Sequence, residues 1–180
     1  MTRIPIIDRA NMSAEQARVY DAAKQSTGIV GGPYLAYIRL PKLFEASQSL
    51  RGCLASGPLS RREQQIVNLT VARYWNARYP WYAQVRNSLS IGIEQPVIEA
   101  INARKAPHLP DAREQMCFTV ASETLANKGL SDATYAGAEK TMGLESLVAL
   151  IATTGSFSMT CLTAATFDID PPANNPIPLA

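Results

Sequence analysis

The side chains best suited to chemistry are concentrated in residues 72–84, a stretch rich in tyrosine, tryptophan and arginine. Helical spacing places Gln65 on one stripe of the helix before this stretch, and Gln84 on one stripe of the helix after it. The two amides could therefore face each other across an antiparallel helix pair. Two readings remain open: the aromatic rings and amides satisfy each other in a packed corner, or they line a pocket for a planar or anionic small molecule.

Other reactive residues are sparse. His108 is the only histidine and is predicted to lie in a surface loop. Cys53, Cys117 and Cys161 are far apart and each lies in an apolar helical pattern, so we expect small buried thiols rather than a disulfide framework. One histidine and scattered cysteines predict no metal site, and no glycine-rich phosphate loop or serine nucleophile motif is present. We therefore expect no metal and no cofactor.

The elements that would position this corner are marked by clear helix signals. Ser13 with Gln16, and Ser60 with Glu63, have the spacing of capping boxes. Helices are predicted to begin at Ser13, Pro41, Ser60, Pro80, Pro96, Asp111, Ser131 and Leu144. Glycine-rich residues 28–33 and residues 105–110 are predicted connections, residues 4–7 form the one strand-like pattern, and the proline-rich tail 171–180 is predicted to be extended. The pattern predicts a single all-α domain over residues 1–180, with about seven or eight helices.

The overall composition excludes several classes of function. The 180 residues are 47% hydrophobic with a net charge of +2, which suits one packed domain. The basic residues are scattered without aromatic interleaving, so nucleic-acid binding is not expected. Charged residues in the first ten positions argue against a signal peptide, and the apolar stretch 144–165 is interrupted by Gly155 and hydroxyl residues, so it is predicted to be a buried helix. We expect a cytoplasmic protein without membrane contact.

Three segments together resemble the carboxymuconolactone decarboxylase and alkylhydroperoxidase D-like family. Gln65-Ile-Val-Asn-Leu69, Ala72-Arg-Tyr-Trp75 and Tyr79-Pro-Trp-Tyr-Ala-Gln84 are similar to that family's Glu-leu-ala-ile-leu, Ala-Arg-His-Trp and Tyr-Glu-Trp-x-x-His pattern. Upstream, Gly32 to Pro41 resembles its Gly-Pro-Phe-Asn…Arg-Ser-Pro segment. The likeness extends over nearly the whole chain. It implies an alkylhydroperoxidase D-like helical bundle that self-associates, as a trimer, dimer or hexamer, and a small pocket in which a glutamate, a second reactive residue and a histidine relay protons.

The sequence departs from the family at each relay position. Gln65 stands where the resemblance implies the glutamate, Gln84 where it implies the histidine, and Pro80 and Ala77 where the peroxidase branch has its Cys-x-x-Cys pair. An amide hydrogen-bonds but does not exchange a proton near neutral pH, so the relay, worth about 10²–10⁴-fold in rate, is expected to be absent. Tyr74 replaces the histidine of the Ala-Arg-His-Trp motif.

The leading hypothesis is a cofactor-free, decarboxylase-like lyase that acts on or binds a small organic acid or lactone by electrostatic stabilisation. The predicted catalytic residues are Gln65, Gln84, Tyr79 and Arg73. The predicted substrate-binding residues are Trp81, Tyr74, Tyr34 and Arg39. The alternatives are an alkylhydroperoxidase-like antioxidant protein, and a non-enzymatic module that binds a ligand or oligomerises.

Overall fold

The chain folds as a bundle of helices. The computed structural model describes residues 2–27 and 30–180, and within these ranges it contains eight α-helices, one short 3-10 turn and no β-strand. The helices are α1 (Ala14–Thr27), α2 (Tyr34–Tyr37), α3 (Pro41–Ala55), α4 (Arg61–Tyr74), α5 (Arg78–Ser90), α6 (Gln95–Asn102), α7 (Ala112–Asn127) and α8 (Asp132–Thr166). The all-α prediction is thus confirmed.

The predicted capping residues do start their helices. The Ser60 hydroxyl accepts from the Glu63 backbone N–H at 3.2 Å, and Glu63 Oε2 accepts from the Ser60 N–H at 2.6 Å. The Ser13 and Gln16 pair makes the same reciprocal contacts. Asp111 accepts from two backbone N–H groups at the start of α7. Each cap satisfies donors that the first helical turn would otherwise leave unpaired.

Helix α4 is the centre of the bundle and packs against α5, α6, α7 and α8. Its inward side chains, among them Ile66 and Leu69, are fully buried. Trp81 from α5 joins them, also fully buried. A smaller apolar cluster holds α1, α2 and α3 together through Val19, Tyr37 and Phe44.

One sequence-based prediction about the first forty residues needs correction, and one short element was missed. Residues 4–7 form no strand: the Pro5 carbonyl accepts from the Arg39 guanidinium instead of from a neighbouring strand. The four-residue helix α2 was not predicted, and it lies between the predicted connection, residues 28–33, and the helix predicted to begin at Pro41. Of that glycine-rich connection, residues 28 and 29 lie outside the described residues. Gly32 has φ +61°, and a Cβ at this position would overlap a ring carbon of Tyr79.

Helix α8 runs from Asp132 to Thr166 with a break at Gly143, whose φ of 80° and ψ of 160° are not helical. This agrees with the prediction that one helix ends and another begins there. By length and composition α8 is apolar enough to cross a membrane, a test that core helices also pass. Its contacts with α3, α4, α5 and α7 are those of a core helix in the bundle.

The C-terminal tail, residues 171–180, forms no helix or strand and lies along the rest of its own chain. The Trp81 indole N–H donates to the Ile177 carbonyl at 2.8 Å. Asn102 donates from its side chain to the Pro178 carbonyl at 2.8 Å and accepts from the Ala180 N–H at 3.0 Å. Ile177 and Leu179 pack against the main core, so the tail covers the surface between α5 and α6.

Candidate functional site

Gln65 and Gln84 line one cavity. A three-residue connection, 75–77, joins α4 to α5, and the two helices pack side by side. The cavity between them has a volume of about 220 Å³. Gln65 Oε1 accepts from the Ser88 hydroxyl at 3.3 Å, whereas Gln84 Oε1 is shielded from solvent and has no hydrogen-bond partner. A shielded oxygen without a donor is a position at which a bound molecule can add a hydrogen bond.

Side-chain amides dominate the walls of this cavity, which we call the amide pocket. Its polar lining comprises Gln64, Gln65, Asn68, Gln84, Asn87, Thr153, Ser156 and Arg51. Leu54, Ala55 and Phe157 supply the apolar part. Among the described residues of the lining, Arg51 is the one that is charged, and none is a carboxylate. The arrangement can therefore donate hydrogen bonds and stabilise negative charge, but it contains no group that exchanges a proton near pH 7.

The aromatic residues predicted beside the two glutamines lie elsewhere, so the predicted composition of the pocket was wrong in this respect. Trp81 is buried in the core, where its indole is bonded to the tail. Tyr79 packs against Gly32 and, edge to face, against Tyr82. Tyr74 is 42% exposed and lines a different cavity. The physical reason is helical rotation: Tyr74 is nine residues from Gln65, which places it about 180° away around α4.

The predicted cations also lie outside the amide pocket. Arg39 donates to the backbone carbonyls of Leu35 and Pro5, and so holds the N-terminal segment. Arg73 donates to the Asn102 carbonyl at 2.6 Å, on the far side of α4. The positive charge at the pocket comes instead from Arg51, which sequence reasoning missed because α3 reaches this site only through tertiary packing.

Two of the tyrosines predicted as site residues are held in their neutral form. Burial raises the pKa of Tyr79 and that of Tyr34 above the ordinary phenol value. Tyr34 contacts Phe44 edge to face and lies beside the guanidinium of Arg51, 6.0 Å from ring centroid to carbon. It is thus a neighbour of the amide pocket through Arg51, and neither phenol can serve as a base near neutral pH.

A second polar cluster was not anticipated: two crossed ion pairs join α4 to α7. Arg62 Nε lies 2.7 Å from Glu114 Oε1, and Arg113 Nε lies 2.7 Å from Glu63 Oε1. Both carboxylates are buried. The sequence signal was the repeated Arg-Glu dipeptide at the first turn of each helix, which we interpreted only as capping.

Two of the three thiols are buried and one is exposed. Cys117 and Cys161 are buried as predicted, while Cys53 is exposed, against the prediction, because it lies on the outward side of α3. Burial raises the pKa of Cys117 to about 12 and that of Cys161 well above its ordinary value. His108 is exposed in its loop. Among the described residues, no group of three or more His, Cys, Asp or Glu side chains is placed to hold a metal ion.

No protein-family model matches the sequence, and no curated protein is significantly similar to it. Solved structures are similar in fold. A peroxidase-related protein of the alkylhydroperoxidase AhpD core type from Ralstonia eutropha JMP134 has 19% identity and a TM-score of 0.77, over 98% of this chain and 97% of that one. A peroxidase-related protein from Silicibacter sp. TM1040 has 19% identity and a TM-score of 0.79, over 99% and 96%.

A debrominase variant in complex with 2,3,4-tribromopyrrole is also similar, with 13% identity and a TM-score of 0.77, over 96% of this chain and 93% of that one. These likenesses cover the whole helical arrangement from α1 to the tail, including the α4 and α5 pair that carries the amide pocket. The chain therefore has the AhpD-like helical fold.

Proposed function

We propose that this chain binds a small organic acid or lactone in the amide pocket, and that any reaction there relies on hydrogen bonding and positive charge rather than on a proton relay. The observation that carries the proposal is the lining: five side-chain amides and Arg51, with no carboxylate, imidazole or thiol. The volume of about 220 Å³ suits a ligand of metabolite size. An acid or a lactone offers carbonyl oxygens that accept from amide N–H groups and from a guanidinium.

A cofactor-free lyase reaction is compatible with this lining. Decarboxylation would break the bond between a carboxylate and its neighbouring carbon, release carbon dioxide and leave an enolate that water then protonates. Arg51 and the amide N–H groups of Gln65 and Gln84 would stabilise the enolate oxygen. Support for a small planar ligand comes from the debrominase of the same fold, which was crystallised with a tribromopyrrole.

The test is binding and turnover with a panel of small carboxylic acids and lactones. We expect at least one acid to bind, and Arg51→Gln to weaken it about tenfold or more, because the only cation of the pocket is lost. Lys42→Gln, an exposed change on the same helix α3, is the matched control and should leave affinity unchanged. Release of carbon dioxide then separates an enzyme from a binding module. Equal effects of the two variants would contradict the proposal.

The peroxidase alternative draws on the peroxidase-related proteins of the same fold. It requires an accessible, low-pKa thiol with a resolving partner. Cys53 is the exposed thiol, and Cys117 and Cys161 are buried with raised pKa values. A thiol reagent should therefore modify Cys53 alone in the native protein, and peroxide should be consumed no faster by the wild type than by Cys53→Ser. Fast, cysteine-dependent peroxide reduction would establish this alternative instead.

The second part of the proposal is that copies of the chain associate with each other. We place this association in the reducing environment of the cytoplasm. Exposed apolar side chains recur along the second part of α8, at Leu144, Val148, Ile151, Met159 and Leu162. Their spacing of three, four or eight residues puts them on one side of the helix. An exposed apolar stripe of this kind is typical of a surface covered by another subunit.

Light scattering tests this association. Wild type should have a mass above 19.5 kDa at micromolar concentration, and Val148→Asp should lower it by placing a charge in the stripe. Ala133→Asp, which adds the same charge to an exposed position before the break in α8, is the control. A wild-type monomer would contradict this part of the proposal without affecting the amide pocket.

A further inference from the structure

A second cavity, of about 340 Å³, lies on the opposite side of α4 between α6 and α7. Its lining residues are Thr70, Arg73, Tyr74, Ile101, Arg104, Lys105, Phe118, Ser122, Leu125 and Ala126. The amide pocket shares none of these residues. Ile101, Phe118 and Leu125 form an apolar floor, and the three basic residues stand together at one side. We call it the basic pocket.

The charges of the basic pocket are unbalanced. Arg73, Arg104 and Lys105 form no ion pair with any carboxylate of the described residues. The side-chain oxygen of Asn76 accepts from both Arg73 and Arg104, so two guanidinium groups converge on one neutral acceptor. Burial and the nearby charge of Arg104 lower the pKa of Arg73, which is the direction expected for a cation that lacks a counter-charge.

Helix ends explain part of this cluster but not all of it. Helices α4, α6 and α7 all end here, and Arg73 donates to the carbonyl of Asn102, the last residue of α6. Each helix C-terminus carries about half a negative charge, so the three ends together offset about half of the three positive charges. A net positive charge of more than about one remains beside an apolar cavity.

The backbone at this place is also constrained. Asn76 and Arg104 both adopt left-handed conformations, with φ of 48° and 57°. A non-glycine residue in this region is strained and persists only where its surroundings hold it. The Lys105 N–H donates to the Ala100 carbonyl at 2.9 Å, which fixes the turn that carries Arg104 and Lys105 over the cavity. The backbone that carries Arg104 and Lys105 is thus fixed before any ligand arrives.

We propose that the basic pocket is a binding site for a small amphipathic anion: a molecule with one carboxylate and an aliphatic or aromatic body. The body would fill the floor formed by Ile101, Phe118 and Leu125, and the carboxylate would lie against Arg104 and Lys105. No acidic residue is present in the described lining, which excludes a cationic ligand. The positive charge of the lining favours an anion over a neutral molecule of the same shape. This site is independent of the amide pocket and of the function proposed for it.

Calorimetry with octanoate, 1-naphthoate and 1-octanol tests the proposal. We expect saturable binding of octanoate or naphthoate below about 1 mM, and at least tenfold weaker binding of octanol, which keeps the chain length but loses the charge. Whichever carboxylate binds more tightly identifies an aliphatic or an aromatic ligand. Raising the salt concentration from about 0.05 M to 0.5 M should weaken carboxylate binding and leave octanol unaffected.

Variants assign the binding to this pocket. Arg104→Gln with Lys105→Gln should weaken carboxylate binding at least tenfold, and Ala126→Phe, an exposed wall position, should block the cavity while every charge is kept. Lys42→Gln, which removes an exposed cation that belongs to neither lining, is the control and should have no effect. Thermal unfolding of each variant shows whether it is folded.

Failure of both carboxylates to bind the wild type would overturn the proposal. So would equal affinity for octanoate and octanol, or binding that Arg51→Gln abolishes and the two basic-pocket variants do not. Each of these results leaves the acid panel of the amide pocket to be judged by its own variants.

Discussion

Replacing Arg113 by alanine tests whether the crossed ion pairs hold α7 against α4. Glu63 Oε1 lies 2.7 Å from Arg113 Nε, and the Glu63 side chain is only 5% exposed. Without Arg113 the carboxylate stays buried, with the Ser60 N–H at 2.6 Å as its remaining hydrogen-bond donor. A buried charge that has lost its partner is strongly destabilising, because burial has removed the water that would solvate it.

The magnitude follows from the exposure of the two side chains. Removing one partner of a fully buried pair costs about 3–5 kcal/mol. The Arg113 side chain is 36% exposed, so water can enter the space that it leaves, and we expect a loss of about 2–3 kcal/mol in the free energy of unfolding. For a domain of this size, each kcal/mol lowers Tm by about 2–4 °C, which gives a decrease of about 4–12 °C.

Urea unfolding measures this loss of stability, and a double-mutant cycle provides the internal check. Glu63→Gln removes the charge but keeps an oxygen for the Ser60 N–H, so adding it to Arg113→Ala should restore about 1 kcal/mol or more. Arg9→Ala is the control, because it breaks the exposed pair with Asp21 and should change stability little. If Arg113→Ala loses no more stability than Arg9→Ala, or if Glu63→Gln adds to the loss, the buried ion pair does not hold α7 against α4.

Two further predictions concern the backbone and the amide pocket. Gly32→Ala should destabilise the protein more than Gly92→Ala. Both glycines have positive φ, which costs an alanine about 1–2 kcal/mol. A Cβ at Gly32 would also overlap the ring of Tyr79, whereas Gly92 faces open space. Urea unfolding of the pair measures the difference, and equal losses would refute the close contact. Any activity of the wild type should vary little between about pH 5 and 8. The double variant Gln65→Glu with Gln84→His should show a pH-dependent activity, because it contains a titratable pair. An unchanged pH profile in that active double variant would show that the two positions do not contact the substrate.

Sequence patterns that span only a few residues predicted most of the fold. Ser60 and Asp111 begin their helices as predicted, because a cap involves only the first helical turn. The break at Gly143 was predicted on the same local basis. The four-residue helix α2 was missed because so short an element has neither a periodic pattern nor a cap of its own.

The site was predicted less completely because its members come from distant parts of the chain. Helical spacing together with the family resemblance led to Gln65 and Gln84, and the structure brings both to one cavity. Arg51 and Thr153 reach the same cavity from α3 and α8, and no spacing rule links residues about a hundred positions apart. Tyr74 was included because it is near in sequence, although helical rotation turns it away.

The geometry of α4 separates the two cavities and makes the proposals independent. Gln65 and Asn68 face the amide pocket, whereas Arg73 and Tyr74 face the basic pocket, and the buried core residues of α4 lie between these two sides. The two linings have no residue in common, so a surface substitution in one changes no wall of the other. Any influence of one ligand on the affinity for the other would have to pass through a shift of α4 itself, and packed interiors resist such shifts. Binding of a carboxylate at the basic pocket should therefore leave the affinity of the amide pocket unchanged, and a measured coupling greater than about fivefold would mean that α4 moves as a unit between two positions.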